Sequence, residues 1–274
     1  MANYIVTDTE LTSIADAIIA KAGLSGQLEF PIDFVNGIDG IRTGGGADEF
    51  IENYGTMTEY TGNASTIGQY AFAYCARLTT VSFPNCTSIG ANAFAHCSRL
   101  TTVSFPSCTT IGSFAFDRCF SLTTVNFPSC ISIEYNVFYS CSSLTTVSFP
   151  SCTTIGSYAF ERCFSLTTVS FPMCTTISNN AFVSCFSLTT VSFPSCTTIG
   201  SFAFQKCYKL LSLYLLGSSL ANLENVNAFS STPISNYTTS TGGVYGSIYV
   251  PASLYATYIA STNWVTYSSR FVSV

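Results

Sequence analysis

Charge is what this sequence has least of. Asp, Glu, Lys and Arg make up 8% of its 274 residues, against about 25% in an ordinary soluble domain. Nine Lys and Arg against fourteen Asp and Glu, a net charge of −5, cannot neutralise a run of phosphates, so nucleic acid and anionic membranes are poor partners. A single histidine, His96, removes most base-and-nucleophile pairings and most zinc ligand sets. No apolar stretch approaches the ~18 residues of a membrane span, which excludes membrane insertion by a helix. The opening run from Met1 to Glu10 lacks the basic and apolar regions of a secretory signal, so nothing in it is expected to direct export.

What is abundant is apolar and polar-uncharged. Hydrophobic residues reach 47%, ample for a core. Self-similarity at a fixed period then decides the fold. Leu78, Leu100, Leu122, Leu144, Leu166, Leu188 and Leu210 recur every 22 residues, with Ile67 to Ile199 and Phe72 to Phe204 in the same register. The unit reads L-T-T-V-S-F-P-S-C-T-T-I-G-S-x-A-F-x-x-C-x-S. Within it, Val125 and Phe127 are expected to point one way and Thr124 and Asn126 the other, as in a strand that ends at Pro128. A second extended piece runs from Cys130 to Ile133. The segment that follows, of Gly-Ser-Phe-Ala-Phe type, has room for one turn of helix.

No unit buries its apolar face alone, so neighbours must stack, strand over strand, at about 4.8 Å. The thirteen cysteines, from Cys75 to Cys207, lie 11 residues apart, which is also the period of a right-handed coiled coil. That reading fails on Pro84, Pro106, Pro128, Pro150, Pro172 and Pro194, one helix-breaking proline per unit. The expected fold is therefore a β-rich repeat solenoid of leucine-rich-repeat type, a parallel sheet of stacked 22-residue coils, with a small N-terminal helical segment.

From Ile67 to Leu216 the pattern Leu-Thr-Ser-Ile, then Ile-Pro, then Ile-Gly-x-x-Ala-Phe-x-x-Cys is matched nearly column by column, and the chain resembles the leucine-rich repeats of BspA-like bacterial surface proteins. The segment between Pro and Ile-Gly is one residue shorter than the usual unit. Ile248 to Leu254, Tyr258 and Asn263-Trp264 are similar to that family's closing segment. The resemblance implies surface recognition on a bacterial cell.

The ends read differently. Leu11, Ile14, Ala15, Ile18, Ile19 and Ala22 have helical spacing, and Phe34, Val35, Ile38 and Ile41 follow Pro31 in a second candidate helix before Gly44-Gly45-Gly46. This opening is similar to N-terminal segments of phage or prophage tail-associated proteins, which implies an attachment segment on a phage-like particle or cell surface. The expected organisation is a helical attachment segment at 1–43, a Gly-rich linker at 44–47, a starting cap at 48–66, seven repeats at 67–216, and an irregular final coil and cap at 217–274. A helical pair of this size is too small to be stable alone, so residues 1–43 are a candidate for homo-oligomer contacts.

Catalysis finds little support. A spacing of 11 offers no paired zinc ligands, and stacked cysteines would sit nearer the rung spacing than the ~3.8 Å between Cβ atoms that a disulfide prefers. Two ladders of buried thiols are expected instead. His96 falls in a column shared with Tyr74, Arg118, Ser140, Arg162, Ser184 and Lys206, which reads as a solvated position. Asp117/Arg118 and Glu161/Arg162 read as surface pairs of small weight. Asp48, Glu49, Glu52 and Glu59 cluster without a partner. No catalytic residue, metal or cofactor is indicated.

Two surface features carry functional expectations. Thr80, Thr102, Thr124, Thr146, Thr168 and Thr190 form a regular hydroxyl ladder, suited to strand propensity or to docking an ordered ligand. The column before Ala-Phe alternates Tyr70, Asn92, Phe114, Asn136, Tyr158, Asn180 and Phe202, a 44-residue super-period. Tyr70, Phe114, Tyr158 and Phe202 would then be stacking platforms on alternate rungs, about 10 Å apart. The function expected is non-enzymatic binding of a protein or glycan on a cell or host surface, with a structural spacer or oligomeric tail component as the alternative and an enzyme with a site in the caps as the third reading.

Overall fold

The computed structural model of this chain describes residues 57–274. The expected attachment segment, the linker and residues 48–56 of the starting cap lie outside the described residues, as do Asp48, Glu49 and Glu52.

Each coil contributes a three-residue and a two-residue strand. The two-residue strands, from Thr66–Ile67 to Asn222–Leu223, pair in parallel as one eight-stranded sheet, and each hands its isoleucine or leucine to the interior. The three-residue strands also run parallel, in register Thr80↔Thr102 and Thr124↔Thr146. Alternation does what the sequence requires: Val125 and Phe127 are fully buried and Thr124 and Asn126 face out.

The three-residue ladder is interrupted twice, after Thr102–Ser104 and after Thr146–Ser148. The Phe83, Phe127 and Phe171 amides donate to the next coil's Ser104, Ser148 and Ser192 carbonyls at 3.0 to 3.1 Å. Phe105 and Phe149 make no such bond, whereas Phe193 donates to Tyr214 O at 2.9 Å, so the backbone alternates over the first five coils and not beyond.

Two columns of phenylalanine fill the core. Phe72, Phe94, Phe116, Phe138, Phe160, Phe182, Phe204 and Phe229 stack with centroids 5.0 to 5.5 Å apart. Phe83 to Phe193 stack beside them at 5.5 to 5.9 Å, and the columns meet tilted or edge-on, as between Phe149 and Phe160 at 74°. Ring quadrupoles favour both arrangements, and each buried ring contributes about 1.5–3 kcal/mol through area alone.

The expected turn of helix does not form. Tandem tight turns take its place, closed by bonds such as Ala73 N–H to Tyr70 O at 2.9 Å and Cys75 N–H to Phe72 O at 3.2 Å. Two residues per coil adopt positive φ, Phe114 at 60° and Arg118 at 54° in one coil, Asn136 at 56° and Ser140 at 57° in the next. Side chains other than Gly and Asn resist this conformation. Hydrogen bonds to the following coil over-determine it, since Phe114 N–H donates to Tyr135 O at 3.0 Å and Arg118 N–H to Tyr139 O at 2.8 Å. Side chains in these columns are thereby thrown onto the turn face.

The end of the stack is more ordered than the composition of 217–247 suggests. Asn222–Leu223 completes the eight-stranded sheet, and Ser247–Val250 and Phe271–Ser273 extend the other ladder. The helix Tyr255–Ala260 and the 3-10 segment Trp264–Arg270 close over it. Trp264 Nε1 donates to Ala221 O at 2.7 Å, Tyr258 Oη accepts from Ala221 N at 3.0 Å, and Asn263 Nδ2 donates to Leu223 O at 2.7 Å. Backbone groups of the last coil that would otherwise be buried unpaired are satisfied in this way.

Candidate binding surface

The threonine face is the plainest of the three surfaces. One column is structural: Thr101 Oγ1 donates to Thr79 O at 3.0 Å, Thr145 to Thr123 at 3.1 Å and Thr189 to Thr167 at 3.1 Å. The neighbouring column from Thr80 to Thr190 faces solvent, but the two interruptions fall between Thr102 and Thr124 and between Thr146 and Thr168. The backbone ladder beneath the hydroxyl array is thus hydrogen-bonded in segments rather than continuously along the stack.

All thirteen cysteines are buried and reduced. In one ladder, Cys97, Cys119, Cys141, Cys163, Cys185 and Cys207 donate to a phenylalanine carbonyl of the preceding coil at 3.0 to 3.3 Å. In the other, Cys86 to Cys196 donate to the carbonyl two residues on. Burial pushes the Cys108 and Cys130 thiols up to about 12 and Cys152 to about 11. A thiol so held is neither nucleophile nor ligand at neutral pH. Among the described residues no group of three or more Cys, His, Asp or Glu is arranged to hold a metal ion.

The turn face departs most from a regular repeat. His96 is not simply solvated: its ring stacks on Tyr74 at 4.6 Å and 12°, Arg118 Nη1 lies 3.2 Å from Nε2, and Asp117 Oδ2 lies 3.7 Å away. Burial lowers its pKa, with the Asp117 charge opposing. Asp117, too, is no ordinary surface partner of Arg118. It is 8% exposed, its Oδ2 is 3.8 Å from Arg118 Nη1, and burial raises its pKa against the pull of Arg118 and His96. Its Oδ1 has no hydrogen-bond partner. Glu161, 3.7 Å from Arg162 Nε, is raised for the same reason.

Asp117, Arg118 and Glu161 border one groove of about 350 Å3, lined also by Phe114, Tyr135, Asn136, Tyr139 and Tyr158. It spans three consecutive coils. Tyr135, from the middle one, meets Phe114 edge-on at 5.2 Å and Tyr158 at 5.6 Å. The guanidinium carbons of Arg118 and Arg162 lie 5.9 and 5.7 Å from the Tyr139 ring centre, within cation–π reach. Asn136 Oδ1 is, like Asp117 Oδ1, buried without a hydrogen-bond partner.

Of the aromatic row, then, Phe114 and Tyr158 share a groove, while Tyr70 and Phe202 lie on coils away from it. The other lining residues were hidden from a consensus reading because they are departures from it. The column that holds Asp117, Tyr139 and Glu161 has buried Ala73, Ala95 and Val183 and half-buried Gln205 in the other coils, and the Tyr135 column holds Gln69, Ala91, Ser113, Ser157, Asn179 and Ser201. A search for deviations clustered at steps of 22 would have found the groove.

The chain is similar to several solved structures. A leucine rich repeat protein of T. pallidum is 31% identical, with 56% of this chain and 72% of that one covered at a TM-score of 0.47. A leucine rich cell surface protein of Faecalibacterium prausnitzii is 22% identical, covering 72% and 74% at 0.37. A leucine-rich repeat protein from Bacteroides ovatus is 19% identical, covering 61% and 83% at 0.36. A search of curated proteins finds no match. The family model of the BspA type leucine rich repeat region matches in six copies, over residues 65–182 and 175–247. With the columns from Ile67 to Leu210 stacked coil on coil, this chain belongs to the BspA-type leucine-rich-repeat family.

Proposed function

We propose that this chain is a non-enzymatic recognition module whose solenoid binds a protein or glycan on a cell or host surface. One observation carries the reading: Asp117, Tyr135, Tyr139 and Glu161, at columns filled in several other coils by Ala, Val or Ser, gather on the turn face of three neighbouring coils and border one groove. A fold needs none of them, since Ala and Val fill the Asp117 column elsewhere. Membership of a repeat family typical of surface binding and adhesion supports the reading, as does the inert state of the thiols. We place the module on the outside of a bacterial cell or a phage-like particle, with residues 1–43 as its attachment segment. The test is saturable capture: the full chain on beads is offered bacterial and epithelial cells and arrays of matrix proteins and glycans. Capture that free chain competes away is expected, and its absence on every surface would overturn the reading.

A further inference from the structure

Resting on that recognition reading, we infer that the groove across Phe114, Asn136 and Tyr158 is a subsite for one pyranose ring of a glycan. The chemistry of the lining selects this ligand class. Asp117 Oδ1 and Asn136 Oδ1 are buried acceptors without hydrogen-bond partners, and each such group costs about 1–3 kcal/mol unless something donates to it. Sugar hydroxyls donate, and they also accept. Acceptance is met by the Arg118 guanidinium, which lines the groove and lies 5.9 Å from the Tyr139 ring centre. The rings of Phe114, Tyr135 and Tyr158, in edge contact at 5.2 and 5.6 Å, offer apolar walls to the C–H face of a sugar.

A cationic side chain would also seek the two carboxylates, but each already has a guanidinium beside it, Arg118 at 3.8 Å from Asp117 Oδ2 and Arg162 at 3.7 Å from Glu161 Oε1. The volume, about 350 Å3, is at the small end of ligand pockets and suits one ring rather than a long segment. Position in the repeat strengthens the assignment. Asp117 stands in a column that buried Ala73 and Ala95 fill elsewhere, so the fold tolerates alanine there and the carboxylate is kept against its desolvation cost.

Saturation-transfer NMR on the full chain tests the assignment, using methyl pyranosides of glucose, galactose, mannose and N-acetylglucosamine, with Nα-acetyl-lysine amide as the cationic probe. At least one pyranoside is expected to receive saturation. Its affinity should fall tenfold or more in Asp117→Ala and in Asn136→Gly, the latter chosen to keep the backbone at positive φ, with unfolding temperatures close to that of the parent. Silence from every pyranoside, binding that survives both substitutions, or acetyl-lysine amide binding in their place would overturn the sugar subsite. Cell capture by the same preparation separates the two readings: capture with silent pyranosides removes the subsite and leaves recognition standing, and loss of both removes both.

Discussion

Asp117 and Asn136 lie on adjacent coils and line the same groove, and each keeps one buried side-chain oxygen without a hydrogen-bond partner. Folded proteins pair nearly all such atoms. Two orphans bordering one concavity are what a site looks like when stability is spent on recognition, and the rest of the chain shows no comparable concession among its described residues.

The titration of this cluster gives stability two opposed pH windows. Burial holds the His96 imidazole below its ordinary 6.5, so the unfolded chain binds that proton first, and stability falls as pH drops from 6.5 to the folded value. Asp117 and Glu161 are raised above 3.8 and 4.5 by burial, so the folded chain protonates first, and stability returns as pH falls from their folded values to these ordinary ones. Urea midpoints across this range should dip and recover, with Asp117→Ala shrinking the recovery. A midpoint that declines steadily with acid would contradict this electrostatic picture.

Thiol counting checks the two cysteine ladders. In the absence of reductant, a chromogenic disulfide reagent should find the cysteines unreactive in the folded chain at neutral pH and all thirteen reactive in denaturant. The physical reason is burial, which both blocks access and suppresses the thiolate. A denatured count below thirteen would reveal disulfides.

The core prediction is conventional in kind but sharp in place. Leu122 is fully buried in the third coil, so Leu122→Ala should cost about 2–5 kcal/mol, read from chemical denaturation. A loss under about 1 kcal/mol would mean that the stacked columns do not pack as described.

Columns at steps of 22 made the fold legible, because a solenoid repeats one solution and every buried position is written several times over. Leu122, Val125, Phe127 and Cys130 all lie where strand alternation and stacking put them. The turn conformation was not legible. Positive φ at Tyr70, Phe114 and Arg118 is imposed by bonds to the next coil, and only Asn92, Asn136 and Asn180 carry its usual signature. The groove was half legible. Phe114 and Tyr158 were visible as an alternation, whereas Asp117, Tyr135 and Glu161 gain meaning only when coils 22 residues apart are laid on one another.

That alternation supplies its own control. Asn92, Asn136 and Asn180 occupy the Phe114 column at φ 56–60°, so Phe114→Asn/Tyr158→Asn installs residues that the repeat already accepts there. The measurement that tests the central claim most directly is thermal unfolding and cell capture of this double variant beside the parent chain. Recognition by the turn face predicts a midpoint within about 6 °C of the parent, equivalent to roughly 2 kcal/mol, and a capture affinity reduced at least tenfold. Undiminished capture by a variant that remains folded would contradict it.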